Sequence, residues 1–428
     1  MSDVTDCEVL IVGAGPSGLV LACLLAQEGV DVAVVDRRSQ PRGYSRAIGL
    51  HPPALAVLEL IGLEGAVRAE GLHVRSGVAR SRGRTLGSLS FEKAWPERPF
   101  VLTLPQNRTE ALLRGRLAQV APEALRLGWE ITDLTEEDDG VTAAAIASPD
   151  RHPAPGPKPS RAWRARVLVG ADGPRSTVRR HGGIGTRTRE MPDTYLMGDF
   201  PALTGPSPPS DAAASSTAVV HLEPGGVVEA FPLPGGSRRW VAHTGTRLVE
   251  PSAALLSRIV GDRTGEHLDP ASATMASAFS VRRRIAERMV RGRSVLIGDA
   301  AHELSPIGGQ GMTLGWLDTA QLAPLILRAL THGGPLDRSR GIEEFEQDRL
   351  RSARRAARQA ELNTMLGRPM GMPAAAAREV LLRGMLGTPA RLALARAFTM
   401  RGSSPPGLPP SRATGRSHHG RGDALRSS

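Results

Sequence analysis

The stretch from Cys7 to Asp36 constrains the fold more than any other part of the 428-residue chain. It contains two short β-branched runs, with a glycine-rich turn and a helix-forming stretch between them. In chain order these parts are residues 9–12, 13–18, 19–27 and 32–35. A strand, a glycine turn, a helix and a second strand within about thirty residues make up a dinucleotide-binding βαβ unit. The sequence therefore predicts a parallel sheet of the doubly wound α/β type.

Each glycine of this turn has its own physical role in such a unit. Gly13 allows the tight turn, Gly15 lets the backbone approach a pyrophosphate, and Gly18 lets the helix pack on the strand. The amides at the helix N-terminus then face the phosphate charge. Asp36, at the end of the second strand, is placed to accept a hydrogen bond from a ribose hydroxyl.

Two later segments repeat the combination of a strand, glycine and a carboxylate. Residues 167–179 run as strand, turn and helix around Asp172, and residues 294–312 do the same around Asp299. Each carboxylate follows the carboxyl end of a strand, which is the edge where doubly wound folds bind ligands. The second segment has glycines against which a flat ring can lie. The helix after Gly311 directs positive amide dipoles towards that ring.

Between these two segments the pattern changes to short strands separated by Gly/Pro turns. The strands are expected at residues 218–223, 227–233 and 238–244. They predict an antiparallel sheet inserted into the dinucleotide-binding unit, which agrees with the two or three domains that the length suggests. Helices are expected at residues 45–62, 107–120, 310–330, 342–365 and 373–400.

With these three ordered motifs, the chain resembles the FAD-dependent aromatic hydroxylases over residues 6–365. These are the para-hydroxybenzoate hydroxylase-like group A flavoprotein monooxygenases. The resemblance implies an α/β fold, with a Rossmann-like FAD-binding domain, an inserted, mostly antiparallel β-sheet substrate domain, and C-terminal helices. The implied divisions are 1–75, 101–182 and 286–340 for FAD binding, 76–100 and 183–285 for the substrate domain, 341–400 for the helical region and 401–428 for a disordered tail.

The resemblance also implies which residues hold FAD. The residue matching Asp36 holds the adenosine ribose, the one matching Asp299 holds the ribityl chain, and the segment matching 306–312 lies along the flavin ring. Arg46 and Gln106 match positions near the phosphates and the ribityl chain. The expected cofactor contacts are Gly13, Gly15, Pro16, Ser17, Gly18, Asp36, Arg37, Arg46, Gln106, Asp172, Gly173, Asp299, Pro306, Gly309, Gly311 and Met312.

The implied activity is that of a monooxygenase that consumes NADPH or NADH. It hydroxylates an aromatic or polyketide-type secondary metabolite through a flavin C4a-hydroperoxide. A flavin-dependent epoxidase, a non-oxygenating flavin reductase or oxidase, and a non-catalytic flavin-binding protein stay open as alternatives. Only 3% of the residues are aromatic, which predicts a substrate site lined by aliphatic side chains.

The sequence does not identify the acid/base residue. His221, His243 and Tyr195 are candidates in the expected substrate domain, because a histidine near its usual pKa of roughly 6.5 can deprotonate a phenol. For His302, close to Asp299, the loop favours a structural hydrogen bond over a catalytic role. No metal site is expected, because the only two cysteines lack the spacing of metal ligands.

The net charge of +11 is concentrated near the C-terminus. Residues 349–428 contain 15 Arg and three acidic residues, whereas the first 348 residues contain 39 basic and 40 acidic ones. Solvated helix faces are the favoured interpretation. Attraction of NADPH phosphates and docking of the helix at 373–400 on an anionic membrane are alternatives. A nucleic-acid partner is not expected, since no recognised module is present.

The first residues lack the basic region of a secretory signal, and two cysteines provide no disulfide framework. A cytoplasmic location is therefore expected. No apolar run of about 18 residues predicts a membrane span. The expected partners are a small aromatic or polyketide-type substrate and O2, with the chain acting as a monomer or homodimer.

Overall fold

The computed structural model describes residues 4–40, 47–152, 158–202, 216–245 and 250–403. Its strands are β1 (Val4–Val12), β2 (Val32–Asp36), β3 (Gly49–Leu50), β4 (Leu72–Val74), β5 (Ser76–Ser81), β6 (Arg84–Ser90), β7 (Val101–Thr103), β8 (Leu125–Leu127), β9 (Trp129–Glu136), β10 (Val141–Ala147), β11 (Ser160–Gly170), β12 (Thr186–Pro201), β13 (Thr217–Glu223), β14 (Gly226–Leu233), β15 (Ser237–Thr244), β16 (Met275–Ala286), β17 (Val290–Arg291), β18 (Ser294–Leu296) and β19 (His302–Glu303).

Its helices are α1 (Pro16–Ala26), α2 (Pro52–Leu60), α3 (Glu64–Glu70), α4 (Gln106–Val120), α5 (Thr177–His181), α6 (Ala253–Thr264), α7 (Gly311–His332), α8 (Ile342–Gly367), α9 (Met372–Gly387) and α10 (Ala390–Phe398). Strands thus dominate the first three quarters of the chain and helices the last quarter. Within the described ranges, none of these helices combines the length and apolar character that crossing a bilayer requires.

The first sheet is built around the predicted βαβ unit. Strand β1 lies between β2 and β11 and is parallel to both, and β8 and β18 extend the sheet on either side. The apolar side chains of β1 and β2 are buried, as expected for parallel strands covered on both faces. Helices α1 and α7 pack together over the sheet. The α/β fold predicted from residues 7–36 is therefore confirmed.

The second sheet has eight strands in the order β19-β16-β12-β15-β14-β13-β5-β6. All neighbours are antiparallel except β13 and β5. The three strands predicted from the Gly/Pro turns are β13, β14 and β15. The longer strands β12 and β16 were not predicted, because charged residues in both interrupt the apolar pattern.

The two faces of this second sheet have different neighbours, because successive side chains of a strand point to opposite faces. We call the face that carries Tyr195, Met197, Val227 and Val241 the inner face. It shares a buried cluster with Ile307, from the loop before α7. The outer face packs against α6. Its residues include Leu196, Val228, Ala230, Trp240 and Ala242.

The C-terminal helices cover the β5–β6 edge of the second sheet. The buried guanidinium of Arg378, on α9, donates hydrogen bonds to the carbonyl oxygens of Leu222 (2.6 Å) and Leu366 (2.7 Å). Glu379 forms an ion pair with Arg82 at 2.8 Å. The favoured interpretation of this region as solvated helix faces is wrong for these residues, because their side chains attach the helices to the sheet.

Three predicted elements have different limits. The helix expected at 45–62 begins only at Pro52, since a proline fits the first turn of a helix and β3 precedes it. The helix expected at 373–400 is two helices, α9 and α10, separated at Thr388 and Pro389. Of the predicted tail, Arg401–Ser403 forms a 3-10 turn, and the rest lies outside the described residues.

Asp318, on α7, is the centre of a buried ionic cluster. Its Oδ2 lies 2.7 Å from His302 Nε2 and accepts a hydrogen bond from the Gly298 amide at 2.9 Å. Its Oδ1 accepts from Arg349 Nε at 2.8 Å. Burial opposes charge on Asp318 and His302, but their ion pair outweighs it, lowering the pKa of Asp318 and raising that of His302. The cluster ties α7, α8 and the loop after β18 together, and gives His302 the predicted structural hydrogen bond.

We expect Asp318→Ala to lower the free energy of unfolding by about 3–5 kcal/mol, because it leaves Arg349 and His302 buried without a counter-charge. Asp348→Ala is the matched control. Asp348 forms an exposed pair with Arg351, so its loss should change stability by less than about 1 kcal/mol. Urea unfolding of the FAD-free proteins measures both values. Equal stability of the two variants would contradict this role of Asp318.

Candidate functional site

The turn between β1 and α1 is held together by bare backbone. Gly13 has a φ of +112°, which favours glycine, and a methyl group there would lie 2.3 Å from the carbonyl oxygen of Ala171. A methyl group on Gly18 would lie 2.0 Å from the carbonyl oxygen of Gly13. Strand β1, helix α1 and the residue before Asp172 therefore meet at distances that no side chain tolerates.

Gly15 is the open position of the same turn. A methyl group on Gly15 would meet nothing within 4 Å. Helix α1 begins at Pro16, which has no amide hydrogen, so the first free amides are those of Ser17 and Gly18. The Ser17 hydroxyl is turned to α7, where a methyl group on Gly315 would lie 2.4 Å from it. An open backbone at a helix N-terminus is suited to a pyrophosphate.

Asp36 is already saturated with hydrogen bonds. Its Oδ1 accepts from the amide and Nε of Arg38 at 2.8 and 3.0 Å, and its Oδ2 accepts from the Ala14 amide at 2.8 Å and Arg38 Nη2 at 2.9 Å. Burial opposes its ionisation, but Arg38 outweighs it and lowers the pKa of Asp36. A carboxylate offers about four acceptor positions. A ribose hydroxyl can therefore bind Asp36 only after Arg38 moves. Arg37, also expected at the cofactor, is exposed.

Asp172 uses one of its oxygens to begin helix α5. Its Oδ2 accepts the amides of Thr177 (2.6 Å) and Val178 (3.2 Å). Its Oδ1 is buried without a hydrogen-bond partner among the described residues, and burial raises the pKa of the carboxyl. Gly173, with a φ of +79°, turns the chain beside it. The second oxygen is the part of this motif that a ligand donor can satisfy.

Asp299 lies among protein atoms, but its side chain is accessible. Protein atoms surround it, and this burial raises the pKa of its carboxyl against the opposing charge of His302. The side chain nevertheless keeps a large accessible surface. A residue that lines a cleft can be close to many protein atoms and still be reached by a ligand. A ligand hydroxyl can therefore donate to this carboxylate.

The loop before α7 is held in place by His51. His51 Nε2 lies 3.1 Å from the carbonyl oxygen of Gly308. Burial lowers the pKa of His51 to about 4, so the ring is neutral and donates this hydrogen bond. Phe398 of α10 meets the ring edge-on at 5.8 Å. Of the residues expected at the flavin ring, Pro306 is exposed, and Gly309, Gly311 and Met312 are partly exposed. Sequence reasoning missed His51, because a lone histidine before two prolines carries no pattern.

The three acid/base candidates do not lie together. Tyr195 and His243 pair across β12 and β15 on the inner face, with their rings edge to face at 5.2 Å. Burial strongly raises the pKa of Tyr195. His243 Nε2 is 3.2 Å from the Oδ1 atom of buried Asp193. His221 lies on the outer face, stacked on Trp240 at 6.4 Å. The sheet therefore separates His221 from the other two.

Two further expected cofactor contacts are Gln106, which belongs to α4, and Arg46. Gln106 is the first residue of this helix, and its side chain donates to Glu110 at 2.8 Å. Its amide donates to the carbonyl oxygen of Ala47 at 3.1 Å. Arg46 lies outside the described residues.

Comparison with known proteins agrees with this geometry. Residues 6–360 match the family described as FAD binding domain. The chain belongs to this family. The residues present also fit FAD: the turn expected to bind the pyrophosphate is open at Gly15, and the two later acidic motifs offer the unpaired Asp172 Oδ1 and the accessible Asp299.

Relatives and solved structures agree on the fold. A 12-dehydrotetracycline 5-monooxygenase/anhydrotetracycline 6-monooxygenase from Streptomyces rimosus is 32% identical over 338 residues, 74% of this chain and 61% of that protein. The chain spans 55–61% of the length of three such curated relatives. The p-nitrophenol 4-monooxygenase from Pseudomonas putida DLL-E4 has a TM-score of 0.79 at 20% identity, covering 94% of this chain and 98% of that one. The anhydrotetracycline hydroxylase OxyS from S. rimosus has a TM-score of 0.72 at 26% identity, covering 92% and 76%.

The glycine turn generates a paired prediction. We expect Gly15→Ala to leave the stability of the FAD-free protein unchanged, because the methyl group meets no protein atom, and to weaken FAD binding about tenfold or more by blocking the phosphate approach. Gly18→Ala should instead lower the free energy of unfolding by about 1–3 kcal/mol through overpacking. Urea unfolding and FAD titration separate the two effects. Equal destabilisation of the FAD-free protein by both variants would contradict the assignment.

Proposed function

We propose that the chain is a FAD-dependent monooxygenase that consumes NADPH or NADH and O2 to hydroxylate an aromatic or polyketide-type substrate. One observation carries this proposal: Ile307, in the loop assigned to the flavin ring, is buried in the same cluster as Tyr195 and Met197 of the inner face. A flavin along this loop faces an apolar surface suited to a flat substrate. Relatives are named as monooxygenases of anhydrotetracycline, 6-methylpretetramide and rifampicin.

The chain's own groups would bind and orient the cofactor. Gly15 and the N-terminus of α1 would bind the pyrophosphate, and Asp299 would accept hydrogen bonds from the ribityl hydroxyls. Asp36 would accept a hydrogen bond from a hydroxyl of the adenosine ribose once Arg38 has moved. The N-terminal amides of α7 stabilise negative charge on the ring. FAD, reduced by the nicotinamide, supplies the activation of O2.

The inner face would position the substrate and exclude water. Phe279 stacks on Tyr195 with 5.3 Å between ring centroids, and Phe231 lies on the same face. The low aromatic content predicts an aliphatic lining, and this face adds three aromatic rings, Tyr195, Phe231 and Phe279, to its aliphatic side chains. A dry surface keeps a reactive oxygen donor from water.

The proposal also covers which chain segments bind the cofactor and which bind the substrate. We assign residues 1–75, 101–182 and 286–340 to FAD binding and 76–100 and 183–285 to the substrate. Strands β5 and β6 support this assignment, because they join the second sheet although they lie far from it in sequence. We place the activity in the cytoplasm, which the free thiols of Cys7 and Cys23 support.

Isotope labelling tests the proposed reaction. The FAD-loaded protein is incubated with NADPH or NADH, ¹⁸O2 and a panel of phenols that includes polycyclic polyketide-type phenols. We expect mass spectrometry to show a product that has gained one ¹⁸O atom, with one equivalent of the nicotinamide oxidised. Product formation without O2, or product without the label, would contradict monooxygenation.

Two variants control this experiment. Asp299→Ala removes the accessible carboxylate and should reduce both the FAD content and labelled product. Asp262→Ala removes an exposed carboxylate on α6, on the far side of the second sheet, and should change neither. Equal activity of the two variants would show that Asp299 does not hold the cofactor.

A further inference from the structure

The inner face carries a carboxyl group that the three glycine–acid motifs do not use. Glu229 lies in the middle of β14, opposite Val241 of β15 and Val220 of β13. The alternation of strand side chains places Glu229 on the inner face with its neighbours Val227 and Phe231. Val227 and Val241 are in the buried cluster that contains Ile307 of the flavin loop. Glu229 therefore faces the space between the second sheet and that loop.

Glu229 has no protein partner there. Among the described residues it forms no ion pair or hydrogen bond, and burial is the only influence on its carboxyl. Many protein atoms lie near the Glu229 carboxyl, but the side chain keeps some accessible surface. Asp299 shows the same combination on the cofactor side of the cleft. An acid inside an apolar face carries a desolvation cost unless a ligand or proton compensates it.

The charged side chains around Glu229 form ion pairs with one another. Arg239 forms an ion pair with Asp199 at 2.6 Å, and Asp193 binds both His243 and Arg368, the latter at 2.7 Å. No counter-charge therefore stabilises the Glu229 carboxylate, and burial raises its pKa to about 7. A carboxyl with this pKa is half ionised near neutrality, where a general base is most effective.

We infer that Glu229 is the general base that accepts the proton of a phenolic substrate, an inference that rests on the proposed function. The phenol O–H bond breaks, its electron pair stays on oxygen as phenolate, and the proton forms an O–H bond with a Glu229 carboxylate oxygen. The negative charge enriches the ring carbons that receive the electrophilic oxygen atom. The carboxyl returns its proton to solvent after product release. The substrate class is therefore phenols, not alkenes or unactivated rings.

The other candidates on this face are less suited to this step. Tyr195 stays protonated, because burial strongly raises the pKa of its hydroxyl. It cannot take the proton, and its hydroxyl is buried. His243 has one ring nitrogen bound to Asp193, and the other is buried with no partner among the described residues. Tyr195 and His243 are both buried, so neither offers a ligand the accessible surface that Glu229 keeps.

Substitution of Glu229 by glutamine tests the inference, because glutamine keeps the shape of the side chain but cannot take a proton. In the FAD-loaded protein we expect Glu229→Gln to lower kcat/KM for a phenol about 10²-fold or more at pH 8. The fall in wild-type kcat/KM below about pH 7 should be absent from this variant. Glu229→Asp should restore a pH-dependent limb. Glu250→Gln, at an exposed position, is the matched control and should retain the wild-type profile.

A binding measurement gives a second readout that does not depend on turnover. The probe is 4-nitrophenol, whose phenolate band is measured as a difference spectrum against the FAD-loaded protein. In the wild-type protein we expect the phenolate band to rise in two steps, because the probe and Glu229 titrate as a coupled pair. In Glu229→Gln it should rise in one step, at lower pH than the second wild-type step, because the neutral amide neither takes the proton nor repels the phenolate. Binding of 4-nitroanisole, which has no acidic proton, should be the same in both proteins.

The outcomes separate the inference from the proposed function. A wild-type protein that incorporates no label from ¹⁸O2 into any phenol overturns both. A wild-type protein that does so, with an unchanged pH profile and unchanged probe ionisation in Glu229→Gln, overturns the role of Glu229 alone. Thermal unfolding and FAD content of each variant, expected to match those of wild type, show that the comparison is made between folded holoproteins.

Discussion

The contact between the Gly18 methylene and the carbonyl oxygen of Gly13 is the constraint on which the rest of the site depends. Neither position accepts a side chain, and Gly13 also lies against Ala171. Strand β1, the helix α1 that follows it and the distant segment at Ala171 are therefore fixed at backbone distance. Their approach leaves Gly15 open at the start of α1, and it brings the carboxyl end of β1 close to the Asp172 motif. The proposed phosphate site is thus a consequence of packing in which Gly13 and Gly18 leave no room for a side chain.

Buried carboxylates then acquire different roles according to the partners that the fold supplies. Asp318 is paired on both oxygens and holds helices together. Asp36 is saturated by Arg38 and Ala14, so its availability depends on one movable side chain. Asp299 and Glu229 keep accessible surface and lack strong counter-charges. Asp318 stabilises the protein, whereas Asp299 and Glu229 keep oxygens that a ligand can reach.

Local patterns in the sequence predict much of this arrangement. The β-branched runs and spaced glycines predict the βαβ unit, because their physical requirements lie within thirty residues. The hydrogen bond from His51 to Gly308 joins residues 257 positions apart, and no local pattern encodes it. Glu229 was missed because apolar residues flank it on both sides, so the strand shows no alternation that would reveal its face. The solvated face expected of the Arg-rich helices is wrong at Arg378, because this residue is buried against carbonyl oxygens that only the folded sheet presents.

A crystal structure of the FAD-loaded protein tests the central claim most directly. We expect the pyrophosphate over Gly15, and the adenosine ribose at Asp36 with the Arg38 side chain turned away. The flavin ring should lie along residues 306–312 with its open face towards Glu229 and Tyr195. A ring directed away from the inner face, or a pyrophosphate bound elsewhere than the turn between β1 and α1, would contradict the account.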